Sequence, residues 1–150
     1  MNIRQSQVID GLLAFIEKFG KSIGVPVYLE YFPDSKNTAM CIKRNADAVV
    51  RESYIGGGYK ADISFSVLIQ LSRRDKKNLL DVSRVLYALE AYMTDEQEKG
   101  FPTLSFNDEK TSPIGLEMTS APAEYEAPGV KLTTFMAGYT LSYEKKGKFE

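Results

Sequence analysis

Ser142 and Lys145 stand three residues apart, the spacing with which some acyl-transfer enzymes let a lysine amine take the proton of a serine nucleophile. That chemistry needs both groups on one turn of a helix. The residues around them alternate as a strand does, and positions three apart on a strand point to opposite faces. Gly56, Gly57 and Gly58 could cradle a phosphate on backbone N–H groups, but a phosphate loop enters a helix through Lys followed by Ser or Thr. Here Tyr59, Lys60 and Ala61 lead into a strand, so the run predicts a flexible turn. Cys41 is the single thiol, and the sequence contains no histidine to activate it. It reads as a small, semi-buried strand residue. The missing imidazole also removes the commonest general base and the commonest zinc ligand. Asp95, Glu96 and Glu98, and farther on Asp108 and Glu109, lack the alternate spacing and the glycine of a calcium loop. Nothing beside them in sequence raises a carboxyl pKa as glycoside hydrolysis requires, and solvated loop charge is expected. No catalytic residue, cofactor site or metal site is assigned, and the chain reads as not an enzyme.

With 150 residues the chain has the length of one domain, expected to span 1–150. Hydrophobic residues at 43% and charged residues at 26%, with both signs mixed, describe a globular chain rather than a disordered one. A net charge of -1 offers no basic field for holding nucleic acid nonspecifically. One cysteine cannot form an internal disulfide, which points to synthesis in a reducing cytosol. Met1 to Asp10 has no apolar core of a secretory signal, and the apolar stretches fall short of the ~20 residues that cross a bilayer. Neither export by that route nor a membrane span is expected.

The elements that would position these residues follow from periodicity. Val8, Leu12, Phe15, Ile16 and Phe19 recur at helical spacing, predicting a helix from Gln5 to Phe19 capped by Gly20. Pro26 to Phe32 predicts a strand, and Thr38 to Arg44 predicts its antiparallel partner across a Pro33 to Asn37 turn. Asn45 to Tyr59 shows neither period and predicts a long mobile connection. Ile63, Phe65, Val67, Ile69 and Leu71 alternate with more polar residues as a central strand. Leu79, Val82, Leu86, Leu89 and Met93 form the apolar stripe of a second helix, with Asp75 as its N-cap and Thr94 to Gly100 as an acidic exit. Thr103 to Phe106 and Ile114 to Thr119 predict a second hairpin, Ala121 to Gly129 an irregular connector, and Lys131 to Tyr143 a long final strand. The expected fold is α+β, with two helices packed on a mixed, mainly antiparallel sheet of about six strands.

Gly138, Tyr139, Leu141 and Tyr143 faintly match the base-stacking strand of RNA-recognition domains, but Ala137 and Leu141 replace its basic and aromatic positions. A core or interface face on the last strand is the better reading. The run YIGGGYKADISFSVLIQLSRRD, the helix LLDVSRVLYALEAYM and the ending SAPAEYEAPGVKLTTFMAGYTLSYEKK together resemble the tail terminator proteins of tailed bacteriophages, some of which are called minor capsid proteins. Tyr54 and Gly56 match the aromatic and glycine pair that precedes the family's third strand. Pro122, Gly129, Phe135 and Tyr139 match its closing strand.

That resemblance implies a tail-terminator-like subunit forming a six-membered ring on the tail tube. The ring ends tube polymerisation and presents the head–tail joining surface. Its partners would be further copies of itself, the tail tube protein and a head connector or stopper protein, with the tail sheath a further candidate. DNA would pass through the lumen without sequence-specific binding, and no membrane is involved. The protein would be made in the bacterial host cytoplasm and reside at the head-proximal end of the virion tail. A ring needs one surface patch complementary to a different patch on its neighbour. The loops Pro33 to Asn37, Asn45 to Lys60 and Ala121 to Val130 are the available surfaces. Arg51, Tyr54, Ile55, Gly56, Gly57, Gly58, Tyr59 and Tyr125 are the candidate interface residues. The alternatives are another head–tail connector or tail completion protein, and a small α+β ligand- or RNA-binding module.

Overall fold

The computed structural model describes residues 3–30, 38–45, 48–71, 79–106, 108–125 and 133–147. The chain is an α+β fold with two helices and a mixed six-stranded sheet. Helix α1 spans Ile3–Ile23 and helix α2 spans Leu79–Glu98. The strands are β1 (Val27–Leu29), β2 (Ala39–Arg44), β3 (Val49–Ser53), β4 (Tyr59–Leu71), β5 (Thr111–Tyr125) and β6 (Thr133–Lys145). They lie in the order β1-β2-β4-β6-β5, with β3 pairing the remaining length of β4 on the β2 side.

The helix-1 stripe is buried as its period requires, but the helix runs past Gly20. Gly24, at φ 73, is the residue that ends it. Val25 N–H donates to the Gly20 carbonyl at 2.9 Å and Gly24 N–H to the Lys21 carbonyl at 3.3 Å, the paired bonds of a Schellman cap. Gly20 is needed inside the helix for another reason: a Cβ there would lie 2.6 Å from the Val27 side chain and from the Val25 carbonyl oxygen. The close approach seats β1 against α1.

β1 then pairs with β2 in parallel, matching Val27 with Met40 and Leu29 with Ile42, and not as the antiparallel hairpin expected from the sequence. The parallel register sets these four apolar residues side by side, and it is closed by Met40 N–H to Pro26 O and by Glu30 N–H to Ile42 O. Glu30, at φ 71, turns the chain out of the strand there. The Pro33 to Asn37 turn and the Asp75 cap fall outside the described residues.

Ala61, Ile63, Phe65, Val67 and Ile69 of β4 stand opposite Tyr143, Leu141, Tyr139, Ala137 and Phe135 of β6, so one face of both strands is apolar. Both helices contribute to the buried cluster on that face. Leu86, Leu89 and Met93 are fully buried; the side chains of Leu79 and Val82, at the start of the same stripe, fall outside the description. Tyr92 ties the helices together, its ring stacked on Phe15 at 4.5 Å and its hydroxyl donating to the Phe15 carbonyl at 3.3 Å. Tyr139 stacks on Phe65 and donates to the Leu86 carbonyl at 3.0 Å, fastening β6 to α2.

Three further expectations are corrected. Asn45 to Tyr59 is not one long connection, since β3 occupies Val49–Ser53 and forms a hairpin with the start of β4. Thr103 to Phe106 is not a strand, although Leu104 and Phe106 are buried. Its N–H groups at Thr103 and Leu104 are taken instead by the carboxylate of Glu96. Finally, Ala121 to Tyr125 continues β5, whose bulges between Pro113 and Gly115 and again between Met118 and Ala123 broke the period-2 pattern. Tyr125 therefore sits on a strand, opposite Thr134, and its side chain falls outside the description.

Candidate functional site

The β3–β4 hairpin gathers seven of the eight residues singled out as interface candidates: Arg51, Tyr54, Ile55, Gly56, Gly57, Gly58 and Tyr59. β3 is exposed throughout, and Val49 and Val50 face solvent from it. Arg51 sits at a bulge and its Nε donates to Asp62 Oδ2 on β4 at 2.9 Å. Lys60 and Glu52 approach to 3.8 Å across the same pair of strands. The turn itself is tight. Tyr54 N–H donates to the Gly58 carbonyl at 2.8 Å, and Gly57 N–H to the Tyr54 carbonyl at 3.0 Å.

Glycine is required at two places here, Gly57 in the turn and Gly147 beside it. Gly57, at φ 91, occupies the left-handed region that a side chain disfavours. Gly147 lies against the backbone of this turn, where an added Cβ would collide with the Gly56 carbonyl and lie 2.7 Å from the Gly58 nitrogen. The Tyr54 hydroxyl donates to Glu144 Oε2 at 3.3 Å, a second tie from the turn to the end of the chain. Ile55 has no such tie and projects fully into solvent at the tip. Tyr59 instead packs, half-buried, against the core.

Ser142, Lys145, Cys41, Glu96 and Asp108, all weighed for chemistry, are occupied otherwise. Ser142 Oγ donates to Asp62 Oδ1 at 2.7 Å, while Lys145 Nζ reaches Asp108 Oδ2 at 3.2 Å. The two side chains serve different networks. Cys41 is buried, and desolvation with a smaller contribution from Glu30 raises its pKa to about 11, far from a reactive thiolate. Glu96 is not solvated loop charge: it lies inside α2, is buried, and its Oε2 accepts from Thr103 N–H at 2.8 Å, Thr103 Oγ1 at 2.7 Å and Leu104 N–H. Asp108 accepts from Lys110 N–H, Thr111 Oγ1 and Lys145, and those bonds lower its pKa to about 2. Both carboxylates organise backbone.

The sheet face away from the helices is hydroxyl-rich. It holds a cleft of about 550 Å³ lined by Ser64, Ser66, Leu68, Ser120 and Met136 among others. Among the described residues no aromatic ring lines it, and Tyr139 and Tyr143 are buried on the opposite face. A base-stacking platform on the final strand is thus replaced by core packing. Among the described residues no cluster of three potential metal ligands occurs, and no helix is long and apolar enough to cross a membrane.

Sequence reasoning missed Val49, Val50, Glu144 and Gly147. The adjacent β-branched pair was a strand signal hidden by the bulge at Arg51, and the contact of Gly147 with the turn had no local signal at all.

No family model matches the chain, and no curated protein matches it by sequence. Solved structures do. A chain in the virion of a native gene transfer agent particle superposes with a TM-score of 0.54 at 15% identity, covering 93% of each chain. A second solved protein superposes with a TM-score of 0.51 at 10% identity, covering 97% of each chain. At these identities the likeness is one of fold, and it extends over nearly the whole α+β architecture.

Proposed function

We propose that this chain is a structural virion protein of the tail terminator type, without enzymatic activity. It assembles as a ring, six subunits in the family it resembles, on the head-proximal end of a tail tube. The ring blocks further tube growth and offers the joining surface to a head connector or stopper protein. The observation that carries the reading is the fold likeness, across 93% of each chain, to a protein in a gene transfer agent virion. Buried Cys41 and the structural employment of Glu96, Asp108, Ser142 and Lys145 agree with a part that works by shape. Capping then comes from many modest contacts made at once, a multivalent arrangement that holds tightly even when each contact is weak. The β3–β4 hairpin, with Ile55 at its tip, is the part we assign to contacts within the ring or with the tube.

The test is complementation. Particles made without this protein should carry tails of unregulated length that do not join heads, and adding the purified protein should restore joining. Tails of normal length that join heads in its absence would overturn the terminator reading. Normal length with failed joining would favour a connector or tail completion role instead.

A further inference from the structure

We infer that copies of this chain associate head to tail through the two opposite edges of the sheet, the β3 edge of one subunit against the start of β5 on the next. This deepens the ring reading above and rests on it. Val50 stands beside Ala61, Ala61 beside Tyr143, and Tyr143 beside Pro113; in the next row Val49, Asp62, Ser142 and Gly115 follow one another. Ile114 is the bulged residue between Pro113 and Gly115. The exposed apolar residues of the two edges therefore lie at the same height, with Val49 at 51% and Val50 at 53% exposure on one side and Ile114 at 43% on the other. Among the described residues neither edge has a further strand beside it.

Charge at the contact is balanced: β3 carries Arg51 and Glu52, and Arg51 is held by Asp62 of its own sheet, so the match is an apolar one. The chemistry of the edges also limits the contact. β3 contains no proline and, among the described residues, no strand pairs with its outward edge, but Pro113 has no N–H and the neighbouring bulge interrupts the β5 edge. The contact is then made largely by side chains at one height of the sheet, and not by a continuous backbone ladder. Unlike patches on one chain generate a ring when the rotation between neighbours closes.

Polarity gives this contact a signature in the full-length chain. Val50→Asp spoils one patch and Ile114→Asp the other, and both positions are exposed, so thermal melts should match the parent. Val49→Asp replaces Val50→Asp if the latter lowers the melting temperature. By native mass spectrometry the parent should give a multiple of the chain mass, and each variant alone a single chain. An equimolar mixture should give a species of two chains and nothing larger, because only one good patch remains on each. If both variants assemble as the parent does, the edge contact is overturned while the ring reading stands. Loss with Val50→Asp alone, and no rescue by mixing, would mean like edges pair, or that the β3 edge meets the tube protein, and would overturn the head-to-tail contact. A parent that stays a single chain both free and on purified tail tubes would overturn the contact and the ring reading together.

Discussion

Glu96 shows how a charged residue becomes structural. Its carboxylate replaces a neighbouring strand for residues 103 and 104, accepting two backbone N–H bonds and the Thr103 hydroxyl while buried itself. Removing it leaves the buried Leu104 N–H without an acceptor, and a buried polar group stripped of its partner costs about 1 to 3 kcal/mol. Glu96→Ala should lower the urea midpoint accordingly, and an unchanged midpoint would show that water replaces the carboxylate. Asp108 acts at the same scale in the acid range. Its pKa is lowered from 3.8 to about 2, first by the Lys110 N–H and the Thr111 hydroxyl, with Lys145 adding to them. A depressed carboxyl contributes its stability fully above the ordinary value and loses it as pH falls from there through about 2. The parent should therefore lose stability relative to Asp108→Asn between pH ~4 and ~2, and parallel stability curves over that window would show that the carboxylate contributes nothing.

At the scale of elements, the hairpin is held from below by the end of the chain. Gly147 lies flush against the backbone of Gly56 and Gly58, and Glu144 takes the Tyr54 hydroxyl. Neither tie depends on a neighbouring subunit. A Cβ at position 147 would collide with the backbone of the turn and part the two segments, so Gly147→Ala should speed amide exchange at Tyr54 and Gly57, whose N–H groups make the turn's two bonds, severalfold. Exchange in β6 near Tyr139, deep in the sheet, should stay as it is. Equal protection of the turn in parent and variant would mean that its own two backbone bonds suffice. The helices end with the same economy of means. In α2 the Phe101 N–H donates to the Glu96 carbonyl at 2.9 Å and the Gly100 N–H to the Gln97 carbonyl at 3.1 Å, with Gly100 at φ 79, repeating the cap of α1.

For the whole molecule the decisive feature is that one buried cluster joins both helices to β2, β4, β5 and β6. Leu86 sits within it without exposure, packed where Tyr139 binds the helix carbonyl. Leu86→Ala should cost about 2 to 5 kcal/mol, because truncation loses transfer energy and leaves a cavity. The loss should appear at a common midpoint in the signals of helix and of buried tyrosines, since α2 and the sheet share that cluster. Two separated midpoints would divide the chain into independently melting parts, contrary to the expectation of one domain over 1–150.

Side-chain periodicity alone determined α1, the apolar face of β4, the Leu86, Leu89 and Met93 stripe, and the long last strand. Each of these buries a face, and a buried face imprints its period on the residues that make it. Composition and not period marked out the 54–59 region, because a run of three glycines is legible locally. Only the tertiary structure decided that β1 runs parallel to β2, that Asn45 to Tyr59 folds back as a hairpin, and that a glutamate near the end of α2 serves the segment after it. Strand pairing joins backbones that are chemically alike at every position, so its direction is selected by which apolar rows meet across the sheet. The same holds for the two edges: that Val49 and Val50 stand level with Ile114 is a property of four strands in register, and residues 65 positions apart in sequence (Val49 to Ile114) acquire that relation only when β4 and β6 lie between them.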